Sequence, residues 1–130
     1  MNLFINSKII GLRPSYILLV NASNTTDALF HSNSFSLNRS LFVANSLRDG
    51  IEKFKTERTK FVFIDERLLL SDPAMSDQFL QLLKSDSDSI VTVLEEAGNS
   101  RLKEDILSMG FGYAERPFSV SQMTSLCSLR

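Results

Sequence analysis

Apolar residues in this chain come in short compact runs, each followed by a helix-length segment with apolar positions at helical spacing. The runs are residues 16–20, 41–44, 61–64, 90–94 and a weaker one at 113–115. Runs this short and this continuous are the pattern of strands buried on both faces. The segments between them carry helix start signals. Asn24 with Asp27 opens the first and Ser46 with Asp49 the second, where Leu47, Ile51 and Phe54 fall on one face. Asp72 is positioned as N-cap of the third, with Pro73 at its first position, where the missing N–H costs nothing. Met75, Phe79, Leu82 and Leu83 form the stripe of that helix. The fourth starts near Ser100, places Leu102, Ile106 and Met109 on one side, and meets a stop at Gly110. Ser119 with Gln122 makes a capping box for the fifth, which buries Val120, Met123 and either Leu126 or Cys127.

Strand and helix alternating in this way predict βαβ units and a parallel sheet. Right-handed crossovers then put helices on both faces of a doubly wound five-stranded sheet, the flavodoxin-like (βα)5 fold with strand order 2-1-3-4-5. The 130 residues suit one domain, spanning 15–130 after an N-terminal extension, 1–14. That extension is mildly apolar but lacks the early positive charge and small-residue cleavage site of a signal peptide. The Ser- and Asn-rich stretch 32–40 reads as a polar loop.

Composition narrows the function by exclusion. Fourteen basic and fifteen acidic side chains leave a net charge of −1, with no electrostatic footprint for nucleic acid and no basic helix for a membrane surface. One cysteine, Cys127, and one histidine, His31, give neither an internal disulfide nor a zinc-ligand spacing. Both fit a reducing cytoplasm. No apolar stretch reaches the roughly 20 residues that span a bilayer. Cys127 reads as a small hydrophobe and His31 as a surface residue.

Chemistry is expected at the carboxyl ends of the strands. The run Phe61-Val62-Phe63-Ile64 ends in Asp65, and the weak fifth strand leads into Arg116-Pro117-Phe118. With the stretch from Met109 through Tyr113 to Phe118, these residues resemble the receiver domains of two-component signalling, over about 15–130, nearly the whole chain. The resemblance implies that Asp65 holds the position that accepts a phosphoryl group from a histidine kinase. It implies that Tyr113 is the aromatic that changes rotamer on activation, and that Arg116 stands where the family usually has Lys. It also brings out departures. The family's Mg²⁺-binding acidic pair is replaced by Asn21 and Ala22, and its hydroxyl residue after the fourth strand by Glu95.

Mg²⁺ demands hard oxygen ligands in near-octahedral array and gives up water reluctantly. Asn21 offers one amide carbonyl and Ala22 none, so only weak Mg²⁺ binding at Asp65, if any, is expected. An ionised Glu95 places a like charge where phosphoryl oxygens would sit and has no hydrogen to donate. Arg116 can reach Asp65 or Glu95 with a planar fork and balance them as a permanent ion-pair cluster. Glu95 and Glu96 facing solvent is the alternative arrangement.

The resulting expectation is a non-enzymatic, cytoplasmic pseudo-receiver that needs no cofactor and works by protein–protein contact. In the family, the face formed by the fourth helix, fifth strand and fifth helix carries output and dimer contacts. The matching region includes Lys103, Asp105 and Arg116 onward. The partners implied are signalling proteins, a histidine kinase or a second copy of the chain. Two alternatives stay open: a working acceptor at Asp65 with Mg²⁺, and, from the hydroxyl- and amide-rich loop 21–27 before a helix N-terminus, a flavin mononucleotide site like that of flavodoxins.

Overall fold

The computed structural model describes residues 16–21, 41–95, 102–115 and 119–127. The expected first helix, the extension 1–14, the loop 32–40, His31, Ala22, Glu96 and Arg116-Pro117 lie outside the described residues, as does the burial of Val120 and Met123.

The elements run β1 (Ile17–Val20), β2 (Leu41–Ala44), α1 (Leu47–Glu57), β3 (Phe61–Asp65), α2 (Glu66–Ser71), α3 (Pro73–Lys84), β4 (Ile90–Leu94), α4 (Lys103–Ser108), β5 (Gly112–Ala114) and α5 (Val120–Leu126). All five strands are parallel in one sheet, ordered β2-β1-β3-β4-β5. This is the predicted doubly wound order.

The sheet splits its side chains by strict alternation. Leu18, Val20, Val62, Ile64, Val91 and Val93 pack on one side with Leu47, Ile51 and Phe54 of α1, Phe79, Leu80 and Leu83 of α3, and Ile106 of α4. Ile17, Leu19, Phe61 and Phe63 pack on the other side with Ala114 and Cys127, and Leu126 lies against them. Each fully buried aliphatic or Phe side chain contributes roughly 1.5–3 kcal/mol, so the middle strands β1 and β3 anchor the domain from both faces.

Helix starts follow the expected chemistry. The Ser46 hydroxyl accepts from the Asp49 amide at 3.1 Å, Asp72 Oδ1 from the Met75 amide at 3.1 Å, and the Ser119 hydroxyl from the Gln122 amide at 3.0 Å. Gly110 takes φ of 87° after α4, a left-handed turn that glycine adopts without a Cβ penalty. Helix α4 begins at Lys103, and Leu102 and Met109 pack half-buried on the core with Ile106. Strand β5 lies one residue earlier than the apolar run indicates. Its register is fixed by pairing Thr92 with Gly112 and Leu94 with Ala114.

One element has no counterpart in the sequence pattern. Helix α2 is only six residues long, too short to show a period, and starts directly from the end of β3. Asp65 is both the last residue of β3 and the N-cap of α2.

Candidate functional site

Parallel strands bring Asn21, Asp65 and Glu95 to one edge of the sheet. β1 and β3 pair up to Val20 and Ile64, and β3 and β4 up to Asp65 and Leu94. Asn21 follows β1 directly, and its amide donates to the Ala44 carbonyl at 2.9 Å. Glu95 follows β4 directly, and its amide donates to the Ala114 carbonyl at 2.8 Å. Each of these residues is therefore tied by its backbone to the next strand, and none sits on a free loop.

All three side chains are buried, and so is Glu66: Asp65 is 0% exposed, Glu66 2% and Glu95 6%. Asp65 and Glu66 at the junction of β3 and α2 and Glu95 after β4 thus put three carboxyl groups, withdrawn from water, at this edge. Burial of Glu95 removes the arrangement in which it faces solvent.

Asp65 is engaged on both oxygens. Its Oδ1 accepts from the Arg67 backbone amide at 2.9 Å, which caps α2. Its Oδ2 faces the Arg67 guanidinium at 3.4 Å. The sequence pattern offers Arg116 as a partner of Asp65 or Glu95, and that residue lies outside the described ones. Arg67 is the cation seen here. It is half exposed, so this pair is worth little by itself, about 0–1 kcal/mol.

Glu66 is the residue at this edge whose part the sequence pattern did not reveal. Its Oε2 accepts two hydrogen bonds, from the Leu102 backbone amide at 3.1 Å and from the Tyr113 hydroxyl at 3.0 Å. The only trace of this in the sequence is a second acid beside Asp65 at the head of Leu68-Leu69-Leu70, which places a charge next to an apolar segment.

Tyr113 is half-buried at the centre of β5 with its hydroxyl turned to Glu66. Burial pushes its phenol well above the ordinary value. The bond to Glu66 adds to this, and the charges of Glu66, Glu95 and Glu115 act in the same direction. Lys103, at the start of α4, bonds Glu115 at 2.8 Å on the surface. That bond and the Glu115 charge raise its pKa, with a further contribution from Glu95.

Among the described residues, no group of three or more His, Cys, Asp or Glu could hold a metal ion. Among them also, no helix is long and apolar enough to cross a membrane.

No family model matches this sequence, and no curated protein matches it. Solved structures do match. A response regulator from Thermotoga maritima superposes with a TM-score of 0.71 at 16% identity, over 91% of this chain and 100% of that one. The chemotaxis response regulator CheY4 of Vibrio cholerae gives 0.71 at 15%, over 88% and 97%. A response regulator receiver domain from Clostridium thermocellum gives 0.69 at 18%, over 88% and 91%. The chain has the receiver fold. At these identities the likeness speaks for architecture. In that architecture Asp65 occupies the carboxyl end of the central strand, β3, with Asn21 and Glu95 on either side.

Proposed function

We propose that this chain is a receiver-like signal-transduction domain that works by protein–protein contact and without phosphorylation. The observation that carries the reading is the donor set around Asp65. Phosphoryl transfer in such a site depends on a divalent metal that neutralises the phosphate oxygens. Mg²⁺ would need several hard oxygens around an octahedron. The residues here do not fit that demand. Asn21 stands where a carboxylate would be needed, Ala22 brings only a methyl group, and both Asp65 oxygens face Arg67 donors. Buried Glu95 adds a like charge beside the position an incoming phosphoryl group would take.

Arg116 completes the reading. With Asp65 and Glu95 buried and acidic, a guanidinium from the end of β5 would balance them permanently, in place of a metal and phosphate that come and go. The domain then rests in one conformation. The face offered to a partner is that of α4, β5 and α5, where Lys103, Asp105 and exposed Leu107 lie. The partner is a signalling protein, a histidine kinase or a second copy of the chain. No cofactor and no catalytic step are assigned, and the setting is cytoplasmic. The flavin alternative rests on the loop 21–27, of which residues 22–27 lie outside the described ones.

The test is incubation with a small-molecule phosphodonor and Mg²⁺, followed by intact mass and a search for acyl phosphate on Asp65. The expected result is an unmodified chain. A stoichiometric phosphoryl adduct that disappears in Asp65→Asn would establish the opposite reading, a working acceptor.

A further inference from the structure

Helix α4 has no cap of its own. Its N-cap residue is Leu102, which has no side-chain oxygen to offer and makes no side-chain cap bond. With six residues it is also too short to hold together by intrinsic helicity. The partner comes from a distant part of the sequence. Glu66 Oε2, 36 residues away in sequence, accepts from the Leu102 amide at 3.1 Å. A carboxylate at a helix N-terminus meets both its unsatisfied N–H groups and the positive end of its dipole.

The same oxygen also accepts from the Tyr113 hydroxyl, 47 residues from Glu66, at 3.0 Å. Glu66 is almost wholly buried, although it is the first residue of a short helix. Its partners among the described residues are these two neutral donors, with no cation. A buried carboxylate held by neutral donors alone is costly unless both bonds are kept. The arrangement therefore either stays whole or comes apart as a unit.

We propose that Glu66 is a conformational latch. One carboxylate oxygen pins the start of α4 and the ring of Tyr113 to the end of β3, so that α4 and β5 hold or release together. Removing the Glu66 carboxylate frays the first turn of α4 and loosens Tyr113 together with it. The charges of Glu95 and Glu115 act on Tyr113, and Lys103 is occupied by Glu115 on the solvent side. The latch is a property of how α4 and β5 are held, and it stands whether or not Asp65 ever carries a phosphoryl group.

The experiment is amide hydrogen exchange by NMR on the full chain, comparing Glu66→Ala and Tyr113→Phe with the parent. The Leu102 amide reads the latch directly, and the Phe54 amide in α1 reads global opening. Loss of one charge-assisted bond is expected to speed Leu102 exchange about tenfold in Glu66→Ala, with Phe54 left behind. Tyr113→Phe keeps the ring and removes only the hydroxyl. It is expected to speed Leu102 several-fold, although Tyr113 does not touch that amide. Exchange at Leu102 within about twofold of the parent in both variants overturns the latch. So does an equal acceleration of Leu102 and Phe54, which means global destabilisation. Should Glu66→Ala fail to fold, Tyr113→Phe decides alone.

Discussion

Gly50 is the fourth residue of α1, inside a helix where glycine is ordinarily the wrong residue. Replacing it with alanine would gain about 1 kcal/mol of helix propensity, and burying the methyl group would add about 0.8 kcal/mol. The structure opposes both gains. A Cβ at position 50 would lie 2.8 Å from Val20 Cγ2, 3.1 Å from Phe79 Cε2 and 3.2 Å from Val20 Cγ1. Val20 and Phe79 are fully buried, so neither has open space to move into. Val20 is also β-branched and stiff about χ1. The methyl group is wedged between the sheet and α3, and α1 has to lift off β1 to admit it. Overpacking of this kind costs about 1–3 kcal/mol. A contact below 3 Å with buried Val20 and a second tight one with buried Phe79 belong at the top of that range or beyond it, so Gly50→Ala is expected to lose about 1–2 kcal/mol net. Urea unfolding followed by far-UV circular dichroism reads this as a lower midpoint at unchanged slope. The strain should also reach Asn21, the residue after Val20, as a shift of its amide resonance. A midpoint equal to or above the parent's would refute the reasoning, because helix propensity would then have outweighed a contact that the packing makes prohibitive.

Other outcomes follow from single residues. The Thr59 hydroxyl is fully buried with no hydrogen-bond partner among the described residues, so Thr59→Val should stabilise by about 1 kcal/mol, and a lower urea midpoint would contradict this. Because the folded protein raises the Tyr113 phenol above its ordinary 10.0, the fold favours the protonated form. That contribution is complete below pH 10.0 and lost as the pH climbs above it. The stability gap between the parent and Tyr113→Phe should therefore be level at neutral pH and shrink above that point, and a gap independent of pH would be the adverse result. Arg116→Ala removes the proposed counter-charge to Asp65 and Glu95, and about 3 kcal/mol of stability should go with it; an unchanged melting temperature counts against the ion-pair cluster.

The architecture was readable because its determinants are local in sequence. Buried parallel strands must be apolar on both faces, so Ile17–Val20, Phe61–Ile64 and Ile90–Leu94 announce themselves, and Asp65 stands out as the first polar residue after such a run. Ser46, Asp72 and Ser119 cap their helices through bonds three residues long, which a sequence displays directly. Helix α2 leaves no such trace, since six residues do not complete two turns. The role of Glu66 is invisible for a different reason: its two partners lie 36 and 47 residues away, and they meet it only because β3, α4 and β5 converge at one sheet edge. Arg67 beside Asp65 was likewise hidden, because a side chain two positions on faces the carboxylate only once the chain turns from strand into helix there.

The central claim, a receiver-like domain that does its work without a phosphoryl switch, is most directly tested by amide NMR during titration with Mg²⁺ and then beryllofluoride, a stable mimic of the acyl phosphate. The account predicts that the resonances of Asp65, Glu66, Glu95 and Tyr113 stay where they are at millimolar concentrations of both. Saturable shifts that begin at Asp65 and spread to Tyr113 and the first turn of α4 would contradict it and make Asp65 a working acceptor.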